Sequence, residues 1–205
     1  IEGGRPEAFA ATEPGQRANA RARSGLGLVP RRLPGSGEIW KGRLAPSELA
    51  ARVEGIHRAY HTALEAELAR IRAEWGAALL IDLHSMPPLR AGEGEARAPV
   101  FVLGDRFGAA CDNALIGRAL AHLEGRGAPA AHNRPYSGGY VLDRHGAPRE
   151  DVHAIQIEVC RAAYLDRHLA EPGAGLPAIA ALLVAVVREL GAEAALLGGG
   201  DGVRQ

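Results

Sequence analysis

Apolar residues recur along this chain in two periods. Between 46 and about 75 they fall three and four apart, at Leu49, Val53, Ile56, Tyr60, Leu64, Leu68 and Ile71, the stripe of an amphipathic helix. The pattern then changes. Residues 77–83 are apolar except for Asp82 and are bounded by Gly76 and by Pro87 and Pro88, which predicts a fully buried strand of a parallel or mixed sheet. Residues 153–159 predict a second such strand, with Gln156 and Glu158 on one face and Ile155, Ile157 and Val159 on the other. Shorter strands are expected at 99–104 and 129–132, a helix from about 108 to 124, a short helix at 164–169, and an almost wholly apolar helix at 175–190. Residues 1–23 show no periodicity and read as an irregular lead-in, and the glycine-rich stretch 196–205 as a flexible tail. Strands alternating with helices predict an α/β chain, one domain over 1–205, with a mixed central sheet and helices on both faces.

The polar exceptions carry the chemistry. His84 stands at the carboxyl end of the first buried strand, the edge at which open α/β sheets hold ligands. By itself such a histidine also fits a hydrogen-bonded loop residue. Asp82, two positions earlier on the same side of the strand, is placed to orient it. Glu158 inside an apolar strand is expensive to bury unless paired or used. It fits a general base beside a metal-activated water; the alternative is an ion pair with Arg161. His57 and His61 share a helical face at metal-chelating spacing, but no glutamate lies between them as in His-Glu-x-x-His, which favours a structural or substrate-side role. Gly138 and Gly139 permit close backbone approach to a ligand. Arg17, Arg21, Arg23, Arg31 and Arg32 form the basic cluster, either a solvated surface or a seat for an anionic substrate group.

Bulk composition narrows the partners. The chain has 205 residues, 47% of them apolar, which allows a sizeable core. Its formal net charge is zero, so no global field recruits nucleic acid or a membrane surface. Ile39 and Trp40 are expected to plug into the core, and Cys111 and Cys160 to be buried free thiols. No apolar run is long enough for a membrane span and no leader pattern is visible, so the expected setting is cytoplasmic, with a small-molecule substrate.

Several motifs in order carry a resemblance: Ile81-Asp82-Leu83-His84-Ser85-Met86-Pro87, then Asn133-Arg134-Pro135-Tyr136-Ser137-Gly138-Gly139-Tyr140, then His153-Ala154-Ile155-Gln156-Ile157-Glu158 with Arg161, Tyr164 and Leu165 following. Gly25-Leu26-Gly27-Leu28-Val29-Pro30 and Tyr60-His61 add to it. From about Ser24 to Leu190 the chain resembles the N-formylglutamate amidohydrolase family. The resemblance implies a zinc carboxypeptidase- or aspartoacylase-like fold and one Zn2+ held by two histidines and a glutamate. It also implies hydrolysis of an N-formyl or N-acyl amino acid, N-formyl-L-glutamate above all, as in histidine degradation. By that resemblance His84 is a metal ligand and Glu158 the catalytic base, with Asp82 and Gln156 behind them. Asn133, Tyr136, Gly139, Tyr140 and Arg161 fall on the substrate side. The family's other two zinc ligands belong to a segment upstream of residue 1, so the expectation here is an incomplete zinc site and a sheet lacking one neighbour. The alternatives are a hydrolase of another acyl amino acid and a metal-free binding module on the same scaffold.

Overall fold

The structure, a computed structural model, describes residues 29–33, 37–40, 42, 44–92 and 97–199. The lead-in, Arg17, Arg21, Arg23, the stretch 25–28 and the last residues of the tail lie outside them. Contacts gather in two units, one up to Thr62 and one from Ala63 onward.

In the first unit, β1 (Arg32–Leu33) and β2 (Gly37–Glu38) form a small antiparallel ribbon. Arg31 and Arg32 both pair with Glu38, so this part of the basic cluster is neutralised locally. Helix α1 (Pro46–Arg52) starts on a proline, whose fixed φ suits a first helical turn. A π-helical stretch, Val53–Arg58, follows and carries Gly55. This wider turn replaces the unbroken α-helix expected from the periodicity. The rings of His57 and His61 lie 4.5 Å apart and edge to face. Trp40 donates to the Pro30 carbonyl, whereas Ile39 is exposed, against the expectation that both would enter the core.

Helix α2 (Ala59–Trp75) leads into the second unit. There β3 (Ala78–Met86), β4 (Phe101–Gly104), β5 (Ala130–His132) and β6 (Val152–Cys160) form one sheet in the order β3-β6-β4-β5. β3 runs parallel to β6, β4 antiparallel to β6, and β5 parallel to β4, so the sheet is mixed as expected. β6 lies between two neighbours, and every residue from His153 to Cys160 is buried, which explains its nearly continuous apolar sequence. β3 is an edge strand of this sheet, and Leu83 is exposed on it.

One face packs on helices. Phe101, Leu103, Ile155, Ile157 and Val159 meet Leu115, Ile116 and Leu123 of α3 (Asn113–Glu124) and Ile179, Val186 and Leu190 of α5 (Leu176–Gly199). Each such fully buried aliphatic side chain contributes about 1.5–3 kcal/mol relative to exposure. On the other face Ala110, Leu142 of α4 (Tyr140–His145) and Ala154 form a smaller cluster with Leu80. Among the described residues no helix is long and apolar enough to cross a membrane.

Local differences from the sequence reading have local causes. α3 starts at Asn113, because Asp112 caps it by accepting from the Ala114 N–H at 2.8 Å, and residues 106–110 are turns. Helix α4 was not expected from the sequence. At 164–169 the expected helix is absent: a 3-10 turn at Arg161–Ala163 precedes bends in which Asp166 accepts from the N–H groups of His168, Ala170 and Glu171. α5 continues through Gly199, so the first residues of the expected tail are helical.

Candidate active site

The parallel register of β3 and β6 sets Asp82 beside Gln156 and His84 beside Glu158. Register partners project to the same side of a sheet, so these four polar side chains share the face opposite α3 and α5. Glu158 also lies beside Val102 of β4, and Gln156 beside Gly104. The strand runs on to Met86 before Pro87 ends it, so His84 is two residues inside its carboxyl end. His153, by contrast, projects to the opposite face, where its Nδ1 accepts from the Asp112 N–H at 3.3 Å.

Each polar group has a defined setting. The His84 Nε2 is 2.9 Å from Asp82 Oδ1, which fixes the ring and leaves Nδ1 as the ring nitrogen open to a ligand. His84 is about half exposed and Asp82 largely covered, with side-chain exposures of 47% and 18%. Glu158 is buried; its Oε1 accepts from Gln156 Nε2 at 3.0 Å, and its Oε2 has no partner among the described residues. Desolvation pushes the Glu158 carboxyl above the ordinary glutamate range. The nearby His84 and Arg161 oppose that rise, and Asp82 adds to it. Arg161 opens the turn after β6 with its Nε buried and lacking a hydrogen-bond partner, and it acts on Glu158 through its charge.

The 133–140 segment crosses this same face. A Cβ on Gly104 would lie 2.6 Å from the Ser137 carbonyl carbon, so the glycine is what lets the segment lie against β4. Gly138 takes a φ of +96°, and Gly139, in extended backbone, caps α4. Tyr136 packs against the cluster of Met86, Val102 and Cys160; Val102 is the β4 register partner of Glu158, and Met86 and Cys160 pair with each other two positions further along their strands. Tyr140 is exposed at the start of α4, with its hydroxyl 3.3 Å from Arg144 Nη1. Asn133 is buried and turned away from solvent: its Nδ2 donates to Asp105 Oδ1 at 2.7 Å, and its Oδ1 accepts from the Asp105 N–H at 3.1 Å.

His84, Glu158, Asp82, Gln156 and Tyr136 thus gather on one face, whereas Asn133 and Tyr140 are engaged by side chains beside it. Asp105, with zero exposure, is the residue that sequence reading missed. Its signal was an aspartate directly after the apolar run 99–104, ahead of the helix expected from about 108. Cys111 and Cys160 are buried free thiols as expected, and burial, then the charges of Asp105 and Asp112, push the Cys111 thiol well above its ordinary value. Among the described residues no three His, Cys, Asp or Glu side chains converge as a metal cage. His84, oriented by a carboxylate and beside a buried carboxylate with a partnerless oxygen, fits a contributor to such a site, not the whole of one.

Comparison with known proteins gives a consistent picture. The sequence profile of the family described as N-formylglutamate amidohydrolase matches residues 6–165. N-formylglutamate deformylase of Pseudomonas aeruginosa is 34% identical over 167 residues, which cover 80% of this chain and 62% of that protein. The enzyme of the same name from Pseudomonas putida is 34% identical over 143 residues, 68% of this chain and 54% of that one. The crystal structure of N-formylglutamate amidohydrolase from Ralstonia eutropha superposes with a TM-score of 0.73 at 25% identity, covering 95% of this chain and 69% of its own. A gene product of Agrobacterium tumefaciens shares the fold, with a TM-score of 0.59 at 19% identity over 80% of this chain and 62% of its own. The chain spans less than two thirds of the length of the curated relatives it matches.

Proposed function

This chain belongs to the N-formylglutamate amidohydrolase family, and from that premise we propose that it forms the catalytic part of a zinc-dependent hydrolase that cleaves N-formyl-L-glutamate to formate and glutamate. The observation that carries the reading is the pairing of His84 with Glu158 on one sheet face. The two curated relatives are named for that deformylation, which supports the substrate.

Glu158 acts as the general base. Its burial raises its affinity for a proton, so it takes one from the attacking water more readily than a solvated carboxylate would. The water oxygen adds to the formyl carbon. The proton held on Glu158 then passes to the glutamate nitrogen as the carbon–nitrogen bond breaks, and glutamate leaves as the amine. Gln156 holds Oε1 by its hydrogen bond, leaving Oε2 as the oxygen that receives the proton. His84 would be one of the residues that hold zinc, with Asp82 orienting its ring. When bound, zinc lowers the pKa of water towards about 7 and polarises the substrate carbonyl. Arg161, with its Nε lacking a hydrogen-bond partner just past β6, and Tyr136, packed against the cluster of Met86, Val102 and Cys160, are the candidates to meet the substrate's carboxylate side.

The test is a substrate panel on the longest native polypeptide containing these residues: N-formyl-L-glutamate, N-acetyl-L-aspartate and a carboxy-terminal dipeptide. Preference for the formyl compound supports the reading. Preference for either other substrate assigns a different acyl amino acid hydrolase, and binding of all three without turnover assigns a binding module.

A further inference from the structure

Two crossing segments on the site face are tied together by a buried polar cluster that no catalytic step uses. Asp105 follows β4 and is fully buried; its Oδ1 accepts from Asn133 Nδ2 at 2.7 Å and lies 3.1 Å from His132 Nε2. The Asp105 N–H donates back to Asn133 Oδ1 at 3.1 Å, so the two side chains form a reciprocal pair. The Asn133 N–H donates to the Leu103 carbonyl at 2.8 Å, and Asn133 adopts a φ of +60°. Asparagine tolerates that left-handed conformation better than most residues. The next residue of the first segment adds a second tie: the Arg106 N–H donates to the Ser137 carbonyl at 2.8 Å, and its guanidinium reaches Ser137 Oγ at 3.3 Å. Beyond these ties the chain packs Tyr136 against the cluster of Met86, Val102 and Cys160, of which Val102 is the register neighbour of Glu158.

We propose that Asp105 and Asn133 are positioning residues, whose reciprocal hydrogen bonds set the 133–140 segment and thereby hold Tyr136 against the substrate side of Glu158. The proposal deepens the deformylase reading and rests on it for its activity readout. It also gives Asn133 a role other than direct contact with substrate. The bonds are directional and buried, so the amide must face the carboxylate. Two facing carboxylates would lose the bond from Nδ2 to Asp105 Oδ1 and set like charges against each other in a buried place.

That asymmetry supplies the test, made on the longest native polypeptide loaded with zinc. Asn133→Asp sets two carboxylates face to face, and the double variant Asp105→Asn with Asn133→Asp restores an amide–carboxylate pair in the reverse sense. The expected results are a fall of about 10–100-fold in kcat/KM for Asn133→Asp, the scale of a misplacement of about 1 Å, and faster amide exchange confined to 134–139. The double variant recovers both to within about fivefold. In a Tyr136→Phe background the Asn133→Asp loss shrinks, because residues coupled through one segment are not additive. A purely structural pair would lower the melting temperature while leaving kcat/KM of the folded protein unchanged, and that result overturns the proposal, as does a double variant no better than the single one. If Asn133→Asp does not fold, the double variant carries the test alone: it folds and turns over, or the proposal fails. Absence of formylglutamate turnover in the parent protein sinks the deformylase reading instead, and the exchange measurement still decides whether the pair holds the segment.

Discussion

Replacing Glu158 by glutamine separates chemistry from stability at one atom. The side chain is buried, its Oε1 accepts from Gln156 at 3.0 Å, and its Oε2 has no partner among the described residues. Glutamine keeps the shape and the acceptor. It loses the charge assistance of one hydrogen bond, a difference of about 1 kcal/mol. It gains relief from burying a charge beside an unpaired oxygen, of about 1–3 kcal/mol. The two nearly cancel or favour the variant, so its melting temperature should match or exceed the parent's by a few degrees, at about 2–4 °C per kcal/mol for a chain of this size. The carboxyl's proton affinity is raised by burial, so between the ordinary glutamate pKa and the raised one the folded state binds more protons than the unfolded state. Stability therefore falls as pH rises through that window, and the advantage of Glu158→Gln is larger at neutral pH than in acid. Turnover should drop about 10²–10⁴-fold, the usual contribution of a general base. Formate release, with melting curves at both pH values, reads these outcomes. Near-parental turnover, or a variant that melts far below its parent, refutes the assignment of Glu158 as base.

Asp82→Asn removes the charge that orients His84 and should weaken zinc affinity by about 10–100-fold, read by competition with a chromophoric chelator; unchanged affinity would mean the Asp82–His84 contact serves only the strand edge. Gly104→Ala places a methyl group within 2.6 Å of Ser137 backbone and should cost about 1–3 kcal/mol, as overpacking does, in urea unfolding, with Tyr136 displaced; an unchanged midpoint contradicts the close crossing. Burial holds the His153 imidazole below the ordinary histidine pKa, so the unfolded chain binds the extra proton and stability is lost as pH falls through about 6.5 and below. His153→Gln should flatten that decline, and an unaltered pH profile of melting would show that His153 titrates freely.

Much of this was legible in the sequence because two strands carry their function as violations of a simple pattern. The apolar runs around Asp82 and Glu158 locate β3 and β6, and strand alternation puts Gln156 and Glu158 on one face. What alternation along one strand does not contain is register between strands. That His84 falls beside Glu158, rather than one residue away and on the other face, follows from how β3 and β6 align, a tertiary fact. Asp105 escaped for a related reason. Its pairing with Asn133 joins residues far apart in sequence, and locally each looks like an ordinary turn or cap residue. The missed helix α4 is only six residues long, too short for periodicity to register, and its start is set by Gly139 rather than by a capping side chain. The expected 164–169 helix failed because Asp166 bonds neighbouring N–H groups itself, the competition by which short polar side chains replace helix with turn.

The central claim is that His84 and Glu158 form one hydrolytic centre on the sheet face. It is tested most directly by measuring zinc content and formate release from N-formyl-L-glutamate in the same preparations of the longest native polypeptide, with and without His84→Ala. The account predicts about one zinc per chain and one formate per glutamate in the parent, with both lost together in the variant. Full turnover by His84→Ala, or a zinc-loaded parent that releases no formate from any acyl amino acid, would contradict it.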